Sequence, residues 1–434
     1  MTRGHVRLSQ FSSWGVAGIV FLLPLYFNPL AELSFEPAKV ELFRYAVVAT
    51  AFVSLLAHYF ETPLRPSWGP AVRRLFLAVA IYGATYSLAT VLSVSPHVSL
   101  LGNGDAHGAA TLLVTLLFFF LVSTMSHTRE TRERIVNALL LGTVPVMVYG
   151  LVQVLHLDPL TWETDAISPM GSTLGRSNFV GAYLAMVVPF TMYRLMDVSS
   201  PACASCWRTI TLLSLQITCI FLTQARAAWC AAIVGFAVVL YLRRRTERRR
   251  AIRPLLVVAG AGAILLAVMN VVDIASLTRS GERRTVADVA AHRAGTARSR
   301  VAIWQGTLEL IPSHWVLGHG PETFTAFFDS SALALDEAVI VTHPHNIVLE
   351  HLFSVGAAGL LAFVFVAVQF YVMTMGRLAE AKSASEKDFL RALVGSASAY
   401  LMQAQLNPDV IVLSSLFWLV LGLGAGACAR VLSN

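Results

Sequence analysis

Apolar residues run along the chain in long blocks, unlike the short alternations of a half-buried sheet or the one-sided stripe of a surface helix. Blocks long enough to cross about 30 Å of hydrocarbon occupy residues 14–31, 41–60, 71–92, 107–124, 135–156, 177–196, 209–224, 226–242 and 252–272, and after a gap 343–374, 388–406 and 409–430. The pattern predicts an all-α polytopic membrane protein with about twelve transmembrane helices, forming a single integral membrane domain over 1–434. Pro24, Pro145 and Pro189 are expected to kink or end helices.

Between the blocks, cations alternate. Arg3 and Arg7, then Arg65, Arg73 and Arg74, then Arg129, Arg132 and Arg134, then Arg194 and Arg208, then a block from Arg243 to Arg253, and finally Arg377, Lys382, Lys387 and Arg430 fall on every second connection. The positive-inside rule then places both termini in the cytoplasm. The longest polar segment, 273–342, becomes extracytoplasmic, between the ninth and tenth spans. Within it, the apolar spacing of Val301, Trp304, Leu308 and Ile311 predicts a helix from Ser299 to Leu310, lying against the membrane or capping a cavity.

Composition narrows the class. With 56% hydrophobic and 13% charged residues in 434 and a mean hydropathy of +0.66, the chain is neither disordered nor a set of soluble domains. The net charge of +7 would suggest nucleic acid, but the Arg243 to Arg253 block alone can supply it as a cytoplasmic flank, so no nucleic-acid partner is expected. Cys203, Cys206, Cys219, Cys230 and Cys428 follow no disulfide framework. The first apolar block is too long, and too closely followed by others, for a cleaved signal peptide.

Candidate chemistry lies in polar residues that are costly at membrane depth and share the outer side. They are Arg176 in GSTLGRSNFVGAYL, Arg226 in LTQARAAW, Arg300 in ARSRVAIW and His345 in THPHNIVLEH. Three guanidiniums and an imidazole on one side suit an anion, since Arg offers fixed, paired donors to phosphate oxygens. Each also has a plainer explanation: Arg176 snorkelling to headgroups, Arg226 marking a turn, Arg300 at an interface, His345 near a helix cap. His343, His345, Glu350 and His351 invite a metal, but His345 and His351 are six apart and diverge by about 120° around a helix. No HExxH pair, Walker loop, dinucleotide fingerprint or GxSxG elbow occurs, so neither metal nor cofactor is expected.

At these residues the chain resembles the O-antigen ligase and polymerase family of bacterial inner-membrane proteins. The resemblance is carried by His345 and Asn346, nine residues, Gly356, two residues and Gly359 in HNIVLEHLFSVGAAG. LTQARAAW from Leu222, SRVAIWQ from Ser299, LGHGPETF from Leu317 and the Gly-Arg-x-Asn start of the segment from Gly175 to Pro189 add to it. It implies a glycosyltransferase that moves a glycan from undecaprenyl diphosphate to an acceptor hydroxyl, foremost that of lipid A-core, at the periplasmic face of the inner membrane, without metal or nucleotide and with inversion at the anomeric carbon. His345, Arg226 and Arg300 would be catalytic, and Arg176, Asn346 and Glu350 would bind substrate. A surface-polysaccharide polymerase, a protein O-oligosaccharyltransferase and a lipid-linked glycan transporter are the alternatives. The segment NGDAHGA departs from relatives that often carry an Arg there, leaving Asp105 and His107 without an assigned role.

Overall fold

The computed structural model describes residues 8–30, 34–61, 66–103, 107–155, 157–160, 170–197, 204–243, 260, 299–328 and 341–431. Helices α1 (Leu8–Leu22), α2 (Glu36–Phe60), α3 (Pro70–Val91), α4 (Pro96–Leu101), α5 (Ala109–Met125), α6 (Arg129–Val154), α7 (Ser177–Asp197), α8 (Ala204–Leu222) and α9 (Arg226–Tyr241) form the first part. Next come α10 (299–310), α11 (Phe324–Phe327), α12 (Ile347–Ser354), α13 (Gly356–Glu380), α14 (Ala384–Gln403) and α15 (Ile411–Ala427). The strand content among the described residues is a two-residue antiparallel pair, Pro66–Ser67 with Arg430–Val431. Prolines in the first turn start α2, α3 and α4, where a missing N–H costs nothing. Helices α6 and α7 continue through Pro145 and Pro189.

The helical class is as expected, but the twelve-span count is not. Among the described residues, six helices are long and apolar enough to cross a membrane: Glu36–Phe60, Pro70–Val91, Arg129–Val154, Ser177–Met196, Ser205–Leu222 and Gly356–Glu380. Four other apolar helices, Gln10–Leu22, Ala109–Met125, Arg226–Tyr241 and Ile411–Ala427, are shorter; seventeen residues rise only about 26 Å. The block 388–406 fails for another reason, since α14 carries Glu386, Lys387, Asp388 and Arg391. The block 343–374 is two helices that break at Gly356, whose φ is 65°. The block 252–272 lies outside the described residues apart from Gly260, as do 273–298 and 329–340 of the long polar segment.

Hydropathy alone does not separate helices buried in protein from helices facing lipid. In α15 every residue except Ser414 is buried, and α7 is nearly as enclosed. Around this centre, Gly235 of α9 and Gly395 of α14 bring their backbones together; a Cβ on Gly235 would stand 3.1 Å from the Gly395 carbonyl oxygen. By contrast, α2 exposes Tyr45, Val48, Phe52, Leu55 and Tyr59, and α13 exposes Leu361, Val364, Val368 and Val372. Both sets repeat every three or four residues, so each is a continuous apolar stripe of the kind lipid covers.

The bundle has two chemically distinct ends. At one, Asp388 Oδ1 accepts from both Arg243 and Arg391, all three buried, while Arg194 pairs with Glu133 and Arg377 with Glu386. At the other lie the starts of α7, α9 and α12, about 24 Å away along the sixteen residues of α9.

Candidate functional site

His345 ends the loop before α12 in the left-handed region, φ 57°, which costs a non-glycine residue about 1–3 kcal/mol. Its surroundings hold it there. The adjacent Asn346 caps α12: its Oδ1 accepts from the backbone N–H of Val348 at 2.9 Å and Leu349 at 3.1 Å, and its Nδ2 donates to the Gln405 carbonyl at 3.0 Å. The Ile347 N–H donates to the Ala404 carbonyl at 2.8 Å. From the other side, Trp304 of α10 donates its indole N–H to the Pro344 carbonyl at 3.0 Å. The histidine is therefore clamped between α10 and the end of α14.

The glycine spacing downstream has a steric cause. A Cβ on Gly356 would lie 2.3 Å from the Val316 carbonyl group, and one on Gly318, also left-handed, 2.4 Å from Ser354. These two close approaches let 315–320 lie across the α12–α13 joint, where the N–H groups of His319, Gly320, Ala357 and Ala358 bond across it at 2.8 to 3.1 Å. Gly320 abuts Ser93 and Ser99 of the α3–α4 region. The LGHGPETF segment thus ties α3 and α4 to the helix that His345 leads into.

Arg176, Arg226 and Arg300 each stand at a helix start. The Arg176 carbonyl accepts from the N–H of Phe179 and Val180 at the head of α7. Arg226 is the first residue of α9, whose N-cap Ala225 offers no side-chain bond, and Arg300 is the second residue of α10. Gly181 allows the approach, since a Cβ there would be 2.6 Å from Ala228 and 2.9 Å from Thr223. The loop into Arg176 is fixed by the buried Lys39, whose ammonium donates to the Thr173 carbonyl at 2.7 Å, and by Gln153, which accepts from the Ser172 N–H at 2.6 Å.

These groups feel one another. Burial, then the charge of Arg226, lowers the Arg300 guanidinium below its ordinary value. Burial first, then His343, Arg300 and Arg176, hold the His345 imidazole down at about 4, against an upward pull from Glu350. At neutral pH His345 is therefore uncharged among cations. The three helix starts add positive partial charge to three guanidiniums, an arrangement unfavourable by about 0.3–1 kcal/mol each and favourable once an anion arrives.

On its other side, His345 borders a cavity of about 130 Å³, roughly ten times the space one water molecule needs. His345, Asn346 and Glu350 line it with Glu322, Asn407 and Asp409; Arg176, Arg226 and Arg300 are not in its wall. Glu350 accepts from Ser354 Oγ at 2.8 Å and faces His343 Nδ1 at 3.5 Å. Burial opposes its ionisation, but the bonds from His343 and Ser354 and the charges of His343 and His351 prevail and keep its carboxyl below the usual range. Burial lifts Asp409 to about 6, although Tyr400 donates to it at 2.9 Å. Asn407 is 2% exposed, and its Oδ1 has no partner.

All six residues singled out in the sequence gather at this end of the molecule. His345 is linked electrostatically to Arg176, Arg300 and Glu350, Arg226 to Arg300, and Asn346 follows His345 directly. The cavity residues Glu322, Asn407 and Asp409 were not foreseen; Asn-Pro-Asp between two apolar blocks reads simply as a turn. His107 Nε2–H donates to Glu36 at 2.6 Å, and Glu36 also accepts the Ile411 N–H, so this histidine knots α2, α5 and α15. Asp105 lies outside the described residues.

Fold and site together define a helical membrane protein that gathers cations beside an uncharged histidine at one end of its bundle. A protein-family model described as O-antigen ligase matches residues 211–364, about a third of the chain. The matched region contains Arg226, Arg300, His345, Asn346 and Glu350 and leaves out Arg176. A search of curated proteins finds no match.

Proposed function

We propose that this protein is an O-antigen-ligase-like glycosyltransferase that moves a glycan from undecaprenyl diphosphate to an acceptor hydroxyl, foremost on lipid A-core, at the periplasmic face of the inner membrane. The observation that carries this reading is a run of arginines at three helix starts, Arg300 and Arg176 acting on His345 and Arg226 acting on Arg300. Such a site suits a diphosphate: its oxygens accept from Arg226 and Arg300, with Arg176 adding charge, and the negative charge they stabilise grows as the anomeric C–O bond breaks. His345 accepts the acceptor hydroxyl's proton as that oxygen bonds to the anomeric carbon, and the bonding pair leaves with the diphosphate. Direct attack opposite the leaving group inverts the centre. A bound diphosphate also offsets the cations that depress His345, making it a stronger base when one is needed.

Reconstituted protein supplied with an undecaprenyl-diphosphate glycan and a lipid A-core acceptor tests this. Transfer is expected in wild type, with losses of about 10²–10⁴ in His345→Ala and about 10²–10³ in Arg226→Ala. Full transfer by both variants refutes the mechanism. Product mass separates ligation from polymerisation.

A further inference from the structure

Helix α10 carries Arg300 in its first turn and an exposed apolar face beside it. We propose that this face, Val301 and Leu308 with Trp315 beyond the helix, docks on the lipid surface at the site end of the bundle and so sets the depth at which Arg300 meets a lipid-borne phosphate. The docking stands by itself; the depth-setting half rests on the glycosyl-transfer reading above.

Two independent observations carry the assignment. The first is the division of α10 into three sectors. Ile303, Thr307 and Leu310 fall within about 60° of one another and turn inward, Ile303 and Leu310 against the cluster of Phe324 and Phe353. Val301, Trp304 and Leu308 share a second arc of about 60°, the valine and leucine exposed and the tryptophan half-buried. Gln305 and Glu309, also exposed, occupy the remaining third. A helix lying between protein and water needs two sectors, one buried and one polar. The third, apolar one is what a helix at a bilayer interface requires.

The second observation fixes the height of this face. From α10 the chain passes through the turn Ile311–His314 into Trp315 and Val316, both exposed. Their carbonyls accept from the N–H groups of Ala357 and Ala358 at 2.8 and 3.1 Å, in the first turn of α13, one of the six helices long and apolar enough to cross a membrane. Leu361, the first residue of the exposed stripe of α13, follows about 6 Å further along the axis from Ala357. Just past α3, another of the six, the Val94 N–H donates to the His319 carbonyl at 3.2 Å, and Val91 and Leu92 beside it are exposed. Trp315 and Val316 therefore continue the apolar surfaces of two such helices to their ends, the level of the bilayer–water boundary, where Trp is enriched. The face is continuous with the stripe of α13, so one medium covers both. Docking Val301 holds the neighbouring Arg300 at headgroup depth, where a lipid diphosphate carries its charge.

The test places full-length protein, with the exposed Cys230 changed to serine, in lipid nanodiscs at one copy per disc. Val301→Cys, Leu308→Cys, Trp315→Cys and Glu309→Cys each receive a nitroxide label. Collisions are read with oxygen, which concentrates in lipid, and with a water-soluble nickel chelate. The oxygen-to-nickel ratio at the first three positions is expected to exceed that at Glu309→Cys by about threefold or more. Equal ratios in Leu308→Cys and Glu309→Cys, nickel-dominated collisions in all four, or weak collisions with both reagents, as under a covering protein segment, overturn the docking. Leu308→Asp then tests depth: KM should rise about tenfold for an undecaprenyl-diphosphate donor in the bilayer and stay unchanged for a short-chain, water-soluble diphosphate donor. A KM unchanged for both donors, or raised equally for both, overturns the depth-setting half. No transfer from any donor, alongside the expected collision ratios, refutes the glycosyl-transfer reading and the depth-setting with it, and leaves the docking standing.

Discussion

A histidine kept neutral by burial and then by neighbouring cations titrates where few histidines do, and this sets the pH behaviour expected of the site. With His345 near 4 rather than the ordinary 6.5, kcat/KM for the donor should stay level through the neutral range and fall only in acid, below the usual imidazole range. Arg300→Gln removes one of the charges that depress it, so the acid limb should move toward 6.5 while the rate drops about 10²–10³. A pH-rate profile of both proteins checks the direction, and an unmoved limb would separate Arg300 from His345. Asn346 offers a contrast. Its carbonyl oxygen is spent on capping α12 and its NH₂ bonds Gln405, so Asn346→Ala should cost about 1 kcal/mol of stability. Asn346→Ser should recover much of the cap, and a thermal melt of the two variants reads the difference.

At the scale of elements, the joint between α12 and α13 is the critical piece. Gly356→Ala forces a side chain into a left-handed position 2.3 Å from the Val316 backbone, so the joint must open. A loss of about 2 kcal/mol or more in stability is expected, with transfer activity reduced as His345 loses its clamp, measurable by denaturation and turnover of the same preparation. This glycine, with its spacing from His345, was legible in the sequence, as was α10 from Ser299 to Leu310. The face of α10 was not. Ile303 and Thr307 are buried, Ile303 packing on Phe324 and Phe353, and this inward face was not marked by the apolar spacing; Val301 and Leu308 of the expected membrane-facing stripe are exposed. The span count failed because the apolar blocks do not match the helices: 409–430 holds only the seventeen residues of α15, about 26 Å, and the helix in 388–406 carries Glu386, Lys387, Asp388 and Arg391. Cavity residues were missed because Glu322 and the Asn407–Asp409 turn come from two distant segments that only the fold unites.

Across the whole molecule, the His107–Glu36 pair ties three helices at the site end. Burial alone would lower the His107 imidazole, but its hydrogen bond and attraction to Glu36 raise it to about 9, above the 6.5 of an unfolded chain. Its stabilisation is therefore complete below 6.5 and disappears as pH rises through about 9. The melting temperature of purified protein should fall over that interval, and His107→Gln should melt lower at neutral pH with a flatter dependence; identical pH curves would remove the knot from the account. The three helix starts have a further consequence for turnover. In the proposed transfer the arginines would hold the phosphates, not the sugar, and both phosphates would stay on the spent lipid carrier. A cluster that grips the donor this way grips its by-product as well, so the proposal predicts that carrier departure, rather than bond making, is the slow step. Added undecaprenyl diphosphate should then inhibit competitively with donor, coupling the rate of glycan export to how quickly the membrane recycles its lipid.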